Sequence, residues 1–197
     1  MAYHYTLPLL LLSLSLWCIP GNSNTTAPVA ATSFIRAKCL TTTYPSVCIQ
    51  SLSAYGKTIQ KSPKQLAQTA LSVSLNRTQS TRVFVTKLNK FRGLKSREYA
   101  AIRDCLEVMS DSVDRLSNSI QELKNLGRAS GPGWFWHISN VQTWVSAALT
   151  DASTCADGFA GRALNGRIKW SIKTRMTNVA QVTSNALALI NQFAGKY

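Results

Sequence analysis

The sequence predicts an all-α protein: an up-down-up-down four-helix bundle with an N-terminal helical hairpin extension. Four long segments repeat apolar residues at helical spacing, and short glycine-containing breaks separate them. No segment shows the alternation of a convincing strand, and the spacing of four cysteines fits antiparallel hairpins. These three observations predict the class before any element is placed.

The start of the chain predicts a secretory signal peptide over residues 1–23. Residues 7–20 are apolar, and this run is too short for an ordinary transmembrane helix. Gly21 and Ser23 suit a small-residue cleavage site after Ser23. We expect a flexible mature N-terminus over 24–32, then one domain over 33–197 whose first part, 33–60, is the hairpin. No membrane association is expected once the signal is removed.

Each of the four long helices has its own apolar stripe. The first begins at Ser62-Pro63, typical of an N-cap and a first-turn proline, and reaches about residue 91, although Arg77 and Ser80 interrupt its stripe. The second, 95–125, holds the stripe for seven steps of three or four residues. The third, 139–160, uses smaller residues, and the fourth is 167–194. The residues expected to face the core are Leu66, Ala70, Val73, Phe84, Leu88 and Phe91; Tyr99, Ile102, Leu106, Met109, Val113, Leu116, Ile120 and Leu123; Val141, Val145, Ala148, Ala152, Cys155 and Phe159; and Ile172, Met176, Val179, Thr183, Ala186, Ile190 and Phe193.

The mature chain keeps four cysteines, an even number that predicts two disulfides in an oxidising compartment. In an antiparallel hairpin, residues at the same level have numbers that sum to twice the centre of the turn. Cys105 and Cys155 average 130, the centre of the loop 127–133, which predicts a link between the second and third helices. Cys39 and Cys48 average to the turn TTTYP, which predicts a local link. Zinc is disfavoured because the chain has no C-x-x-C.

The formal charge of +14 lies entirely in the mature chain, because no Lys or Arg precedes Arg36. Such a charge attracts polyanions: acidic polysaccharide, anionic membrane or nucleic acid. Secretion and the irregular placement of the tryptophans exclude nucleic acid. Two sequons predict N-glycosylation at Asn24 and Asn76.

The sequence shows no catalytic constellation. Six of the eight acidic residues lie on the second helix, where four line one face, whereas the carboxylates of a glycoside hydrolase face each other across a cleft. We expect this stripe to pair with the basic first or fourth helix, or to bind a partner; it comprises Asp104, Glu107, Asp111 and Asp114. His137, the one mature histidine, is expected in an aromatic loop packed over the bundle end. We therefore expect a protein that is not an enzyme and has no metal or cofactor.

Two longer motifs resemble a known family. DCLEVMSDSVDRL (104–116) and VQTWVSAALTDASTCADGF (141–159), together with the hairpin between Cys39 and Cys48, are similar to the plant invertase and pectin methylesterase inhibitors. The resemblance implies a four-helix bundle with an N-terminal hairpin and the same two disulfides. It also implies a stoichiometric protein inhibitor of cell-wall enzymes, secreted to the apoplast.

The resemblance favours one target over another. TWVSAALT resembles the methylesterase-inhibitor branch, whereas invertase inhibitors typically carry Pro-Lys-Phe before the third helix, where this chain has GPGWFW. We expect the partner to be pectin methylesterase, with cell-wall or vacuolar acid invertase as the alternative. A third hypothesis is a non-inhibitory wall protein that binds de-esterified pectin through the Lys and Arg residues of 87–97 and of the first and last helices.

The resemblance also nominates contact residues. In the methylesterase branch, the second, third and fourth helices are implied to cover the substrate cleft. The motif T-C-x-D nominates Thr154 and Asp157, and helical spacing adds Gln142, Ser146 and Thr150 on the same face. These small polar side chains suit a surface that enters a polysaccharide cleft and excludes the substrate.

Overall fold

The computed structural model describes residues 26–126, 131–160 and 166–195, and the predicted all-α class is confirmed. The described residues form seven α-helices, with a 3₁₀ turn at Ser53–Tyr55 and no strand. The helices are α1 Thr26–Cys39, α2 Pro45–Leu52, α3 Gly56–Ile59, α4 Pro63–Leu88, α5 Ser96–Asn125, α6 Pro132–Gly158 and α7 Arg167–Ala194. The predicted signal peptide and Asn24 lie outside the described residues.

The four long helices form a closed ring in which α4 and α6 are diagonal. Helix α4 packs against α5 and α7, and α6 packs against the same two helices. One end of the bundle therefore carries the α4–α5 and α6–α7 connections. The other end carries the α5–α6 connection and the hairpin, whose short helices rest on α4 and α7.

The helix boundaries differ most from the prediction at α6. This helix begins at Pro132, seven residues earlier than expected, so the segment GWFWHIS is helical rather than a loop. Gly131 has φ +58° and ends the connection in a conformation that favours glycine. Pro132 then occupies the first helical position, where its missing N–H costs no hydrogen bond. At α4, Ser62 caps the helix as predicted by accepting from the Gln65 N–H at 3.3 Å.

The hairpin is longer than predicted and is fastened to α7. Residues 26–32, which were expected to be flexible, belong to α1. The Cys39–Cys48 disulfide is present as predicted, with the two Cα atoms 5.4 Å apart. The buried side chain of Asn185 accepts from the Tyr44 N–H at 3.0 Å and donates to the Tyr44 carbonyl at 2.9 Å.

The predicted core stripes are right for α6 and α7 and partly wrong for α5. All six core residues predicted for the third helix and all seven for the fourth are buried. On α5, four of the eight predicted residues are fully buried, and Tyr99 is 48% exposed. The buried positions that the prediction missed are Cys105, Ser112 and Ser119. These small side chains let α5 approach α6 closely, and the predicted Cys105–Cys155 disulfide joins the two helices with its Cα atoms 4.5 Å apart.

The buried side of α4 is polar along its middle part. Phe91, predicted to lie in the core, is 66% exposed, and Phe84 and Leu88 are only half-buried. The fully buried residues that the prediction missed are Ala67, Leu71, Ser74, Thr78, Thr81 and Val85. Hydroxyl groups are tolerated here because they find hydrogen-bond partners inside the bundle.

A polar contact between α4 and α7 separates the two apolar clusters of the core. Ser74 Oγ lies 2.7 Å from Thr183 Oγ1, and both residues are fully buried. Thr183 Oγ1 donates to the Val179 carbonyl at 2.8 Å, and Thr78 Oγ1 donates to the Ser74 carbonyl at 2.9 Å. The apolar residues therefore form one cluster toward the hairpin and another around the Cys105–Cys155 disulfide.

Candidate functional site

The side of α6 that points away from the bundle forms one long surface, which we call the α6 outer face. It runs from Phe135 to Asp157, about 33 Å at the helical rise, and Asp157 is its only formal charge. Its residues are Phe135, Trp136, Ser139, Gln142, Thr143, Ser146, Thr150, Ser153, Thr154 and Asp157. All are exposed except Gln142, which is half-buried. The opposite side of α6 carries the buried stripe, so core packing fixes which side chains face outward.

Four of the five predicted contact residues lie exposed along this face. Ser146, Thr150, Thr154 and Asp157 follow one another at three- and four-residue steps. Thr150 Oγ1 donates to the Ser146 carbonyl at 3.2 Å, which leaves its oxygen free to accept a bond. Gln142 differs because its amide turns toward α7, where Nε2 donates to Asn191 Oδ1 at 2.9 Å. Gln142 therefore lies at the edge of the face.

Two aromatic residues of this face were not predicted to belong to it, because their segment was expected to form a loop over the bundle end. Phe135 is 59% exposed and Trp136 is 68% exposed. The neighbouring Trp134 points inward instead, with its ring 6.3 Å from that of Phe193. The apolar steps from Trp134 to Ile138 and Val141 continue the buried stripe and could have revealed this helical start.

A polar clamp between α5 and α6 supports the face from behind. The Asp151 carboxylate pairs with the Arg115 guanidinium and accepts from Ser112 Oγ at 3.0 Å. Arg115 also lies 3.6 Å from the Asp111 carboxylate, one turn earlier on α5. Together with the Cys105–Cys155 disulfide, this clamp holds the C-terminal half of α6 against α5.

A second clamp holds the start of α6. Glu122 of α5 accepts from Asn140 Nδ2 at 2.9 Å, and its Oε1 lies 2.8 Å from His137 Nδ1. His137 is thus a helical residue paired across the α5–α6 interface, not a loop residue packed over the bundle end. The hydrogen bond from Asn140 does most to hold the pKa of Glu122 below its ordinary value of 4.5; His137 adds to the effect and burial opposes it.

The second clamp predicts an acid-sensitive contribution to stability. Because the folded-state pKa of Glu122 is lowered, its ionised carboxylate stabilises the fold fully above pH 4.5, and this contribution is lost as the pH falls below that value. We expect Glu122→Gln to be less stable than wild type above pH 4.5, and the gap to narrow at lower pH. Thermal unfolding from pH 3 to 7 measures the gap. Glu107→Gln, which changes an exposed carboxylate of the same helix, should show no such trend; a gap for Glu122→Gln that is independent of pH would contradict the assignment.

The acidic stripe of α5 does not pair with the basic helices as expected. Asp104, Glu107, Asp111 and Asp114 are all exposed, on the side of α5 that points away from its buried seam. Within the described ranges, the only ion pair in this group is the intrahelical one of Asp111 with Arg115. A groove of about 350 Å³ between α5 and α6 brings Asp104 and Arg97 next to Thr154. Of the stripe, Asp104 therefore lies beside the C-terminal end of the α6 outer face.

The described ranges contain no group of three or more His, Cys, Asp or Glu side chains positioned to bind a metal ion. Nor does any helix within them combine the length and the apolar character needed to cross a membrane. The surface features to be explained are thus the α6 outer face, the adjacent acidic stripe and the basic residues elsewhere.

Comparison with known proteins gives a consistent family. Residues 33–189 match the family model described as plant invertase/pectin methylesterase inhibitor. The chain is 52% identical over 196 residues to pectinesterase inhibitor 11 of Arabidopsis thaliana, covering 98% of this chain and 97% of that protein. It is also 59% identical over 167 residues to a 21 kDa protein of Daucus carota, covering 85% and 86% of the two chains.

A solved structure supports the fold. The crystal structure of mutant form A of a pectin methylesterase inhibitor from Arabidopsis superposes with a TM-score of 0.65 at 22% sequence identity. The superposition covers 82% of this chain and 96% of the other. At this identity the likeness establishes the shared helical architecture.

Proposed function

Because the chain belongs to the plant invertase/pectin methylesterase inhibitor family, we propose that it inhibits pectin methylesterase by covering the substrate cleft of that enzyme with the α6 outer face. The protein itself carries out no reaction. The complex is reversible and stoichiometric, and it regulates the demethylesterification of pectin. Relatives at 50% identity or more over nearly the whole chain carry the name pectinesterase inhibitor, which favours this target.

The observation that supports this mechanism is the composition of the α6 outer face. Its short hydroxyl side chains project little from the helix, and the face carries one formal charge. It can therefore enter a groove shaped for a polysaccharide without burying several unpaired charges. Asp157 and Thr154 at its C-terminal end offer polar contacts. Phe135 and Trp136 at its N-terminal end offer apolar area of the kind that dominates protein interfaces.

The two clamps and the disulfide make the face rigid before binding. A helix already fastened along its length to a neighbour loses little conformational entropy when it docks, so more of the contact energy remains as affinity. Inhibition of this kind needs no cofactor and no covalent step. We further propose that residues 1–23 are removed and that the mature protein acts in the apoplast, with glycans at Asn24 and at Asn76, which is exposed on α4.

The deciding experiment is a titration of a plant pectin methylesterase with the purified mature protein. We expect activity to fall to near zero at about one inhibitor per enzyme. The double variant Thr154→Ala, Asp157→Ala should weaken inhibition by about tenfold to a hundredfold, because it removes polar contacts from the buried interface. Both residues are exposed, so the melting temperature should not change.

One set of controls tests which residues form the contact surface, and another tests which enzyme is the target. Glu107→Ala and Asp114→Ala alter exposed carboxylates outside the α6 outer face and should change inhibition less than the double variant does. No inhibition by wild type at micromolar concentration between pH 5 and 7 would reject the methylesterase target. The same titration against sucrose hydrolysis by acid invertase tests the alternative target that the family contains.

A further inference from the structure

The charge of the protein is concentrated at one end of the bundle. This end is built by residues 82–104, 157–160 and 166–175, which together hold eleven Lys and Arg against three Asp and Glu. It carries the α4–α5 connection and lies opposite the hairpin. We define the basic end patch as its α4–α5 part: Lys87, Lys90, Phe91, Arg92 and Lys95.

Among the described residues, the cations of this patch form no ion pairs, although the backbone N–H of Lys95 donates to the Glu98 carboxylate at 2.9 Å and so caps α5. All four are exposed, and none pairs with a carboxylate in the described part of the chain, where the ion pairs engage Arg115 and His137 instead. Phe84 lies on α4, one turn before the patch. Arg175 of α7 lies over its ring, with the guanidinium carbon 4.0 Å from the ring centre. This contact holds a further positive charge on the same side of the bundle.

The patch also presents an aromatic ring to solvent. Phe91 lies between Lys90 and Arg92 and is 66% exposed, although its sequence pattern predicted a core position. A uronic acid unit has a C–H face that packs on such a ring and a carboxylate that binds Lys or Arg. An exposed ring flanked by unpaired cations therefore suits a chain of repeated uronate units.

We propose that the basic end patch binds a polyuronate, namely the de-esterified pectin that pectin methylesterase releases. In that reaction water splits the methyl ester, methanol leaves, and a carboxylate and a proton remain, so the polymer gains negative charge wherever the enzyme has acted. This inference rests on the proposed function for its regulatory meaning. Product polymer near an active enzyme raises the local concentration of the inhibitor there.

The position of the patch permits both partners at once. The patch follows α4, which lies diagonally across the bundle from α6 and its outer face. An enzyme covering the α6 outer face thus leaves Lys87, which belongs to α4, open to a polymer chain, while the face reaches the same bundle end only at Asp157. Inhibition would then increase with the extent of de-esterification already reached.

The test measures retention of the mature protein on immobilised polygalacturonate and on fully methyl-esterified pectin, in buffer of about 0.1 M salt. We expect wild type to bind polygalacturonate at least about tenfold more tightly than the ester. The triple variant Lys87→Gln, Lys90→Gln, Arg92→Gln should lose about tenfold or more, at the usual gain per exposed ion pair. Phe91→Ala keeps the charge and should lose about threefold to tenfold.

A matched control distinguishes the patch from total charge. Arg36→Gln, Lys57→Gln, Lys61→Gln removes the same charge from exposed positions on the hairpin side, and we expect a loss below about threefold. Equal losses from the two triple variants, or equally tight binding of polyglutamate or DNA, would overturn the proposal. Because these assays contain no enzyme, a failure of polymer binding leaves the inhibition titration unaffected, and a failure of inhibition leaves the polymer binding measurable.

Discussion

Replacing Cys105 and Cys155 together with alanine is expected to lower the free energy of unfolding by about 4 kcal/mol. The disulfide closes a loop of sequence separation 50, and opening it restores conformational freedom mainly to the unfolded chain. Both sites are buried, and alanine places no polar group there, so the variant does not add the cost of burying one. Urea denaturation without reducing agent measures the change.

The hairpin disulfide provides the matched control. The double variant Cys39→Ala, Cys48→Ala opens a loop of sequence separation 9 and should cost nearer 3 kcal/mol. We also expect the Cys105, Cys155 variant to inhibit less well, because Thr154 lies next to the broken link. If the Cys105, Cys155 variant loses no more unfolding free energy than the hairpin variant, loop length does not govern the stabilisation by the disulfides.

The second large effect is expected from Trp136→Ala, which should weaken the complex with pectin methylesterase by about thirtyfold or more, equivalent to about 2 kcal/mol. The indole is 68% exposed in the free protein, so its burial in the complex removes a large apolar surface from water. The fold loses little, because the neighbouring Trp134 supplies the core contact. Surface plasmon resonance should show the effect mainly as faster dissociation.

Phe91→Ala is the control for this variant. Phe91 has nearly the same exposed fraction, 66%, but lies at the opposite end of the bundle from Trp136. We expect Phe91→Ala to inhibit as well as wild type, and Trp136→Ala to bind polygalacturonate as well as wild type. Unchanged inhibition by Trp136→Ala would remove the aromatic residues from the proposed interface.

Where apolar side chains alone define the core, the sequence was sufficient to predict it. Helix α7 has mostly apolar residues at unbroken helical steps, and all seven of its predicted core residues are buried, although Val182, Asn185 and Leu189 are buried as well. The disulfides were correct because the mean of two residue numbers locates a turn without knowledge of side-chain packing. The polar side of α6 followed from its buried side, since one fixes the other on a helix.

The errors arose where polar residues enter the interior. In α4, Ser74 and Thr78 are buried through partners that lie far away in sequence or in the helix backbone, and periodicity of apolar residues cannot find them. In α5, Leu106 was expected in the core but is only half-buried. The position that faces α6 is the preceding one, Cys105, which forms the disulfide with Cys155.

The start of α6 was missed for a local reason. Its glycine and proline residues resemble a loop, yet Pro132 favours the first turn of a helix. The aromatic part of the proposed interface was missed with it. The acidic residue Asp151 drew no attention in the sequence, because its role depends on Arg115 and Ser112 from another helix.

The Ser74–Thr183 contact sets the register of the bundle. Among the described residues, Thr183 is the hydrogen-bond partner of the Ser74 hydroxyl, so sliding α4 along α7 by one turn would break a buried hydrogen bond, at a cost of about 0.5–1.5 kcal/mol. An all-apolar seam would resist such a slip less, because one methyl group packs much like the next. Two hydroxyl groups in the middle of the molecule thereby oppose sliding of α4, whose C-terminal end carries the basic end patch.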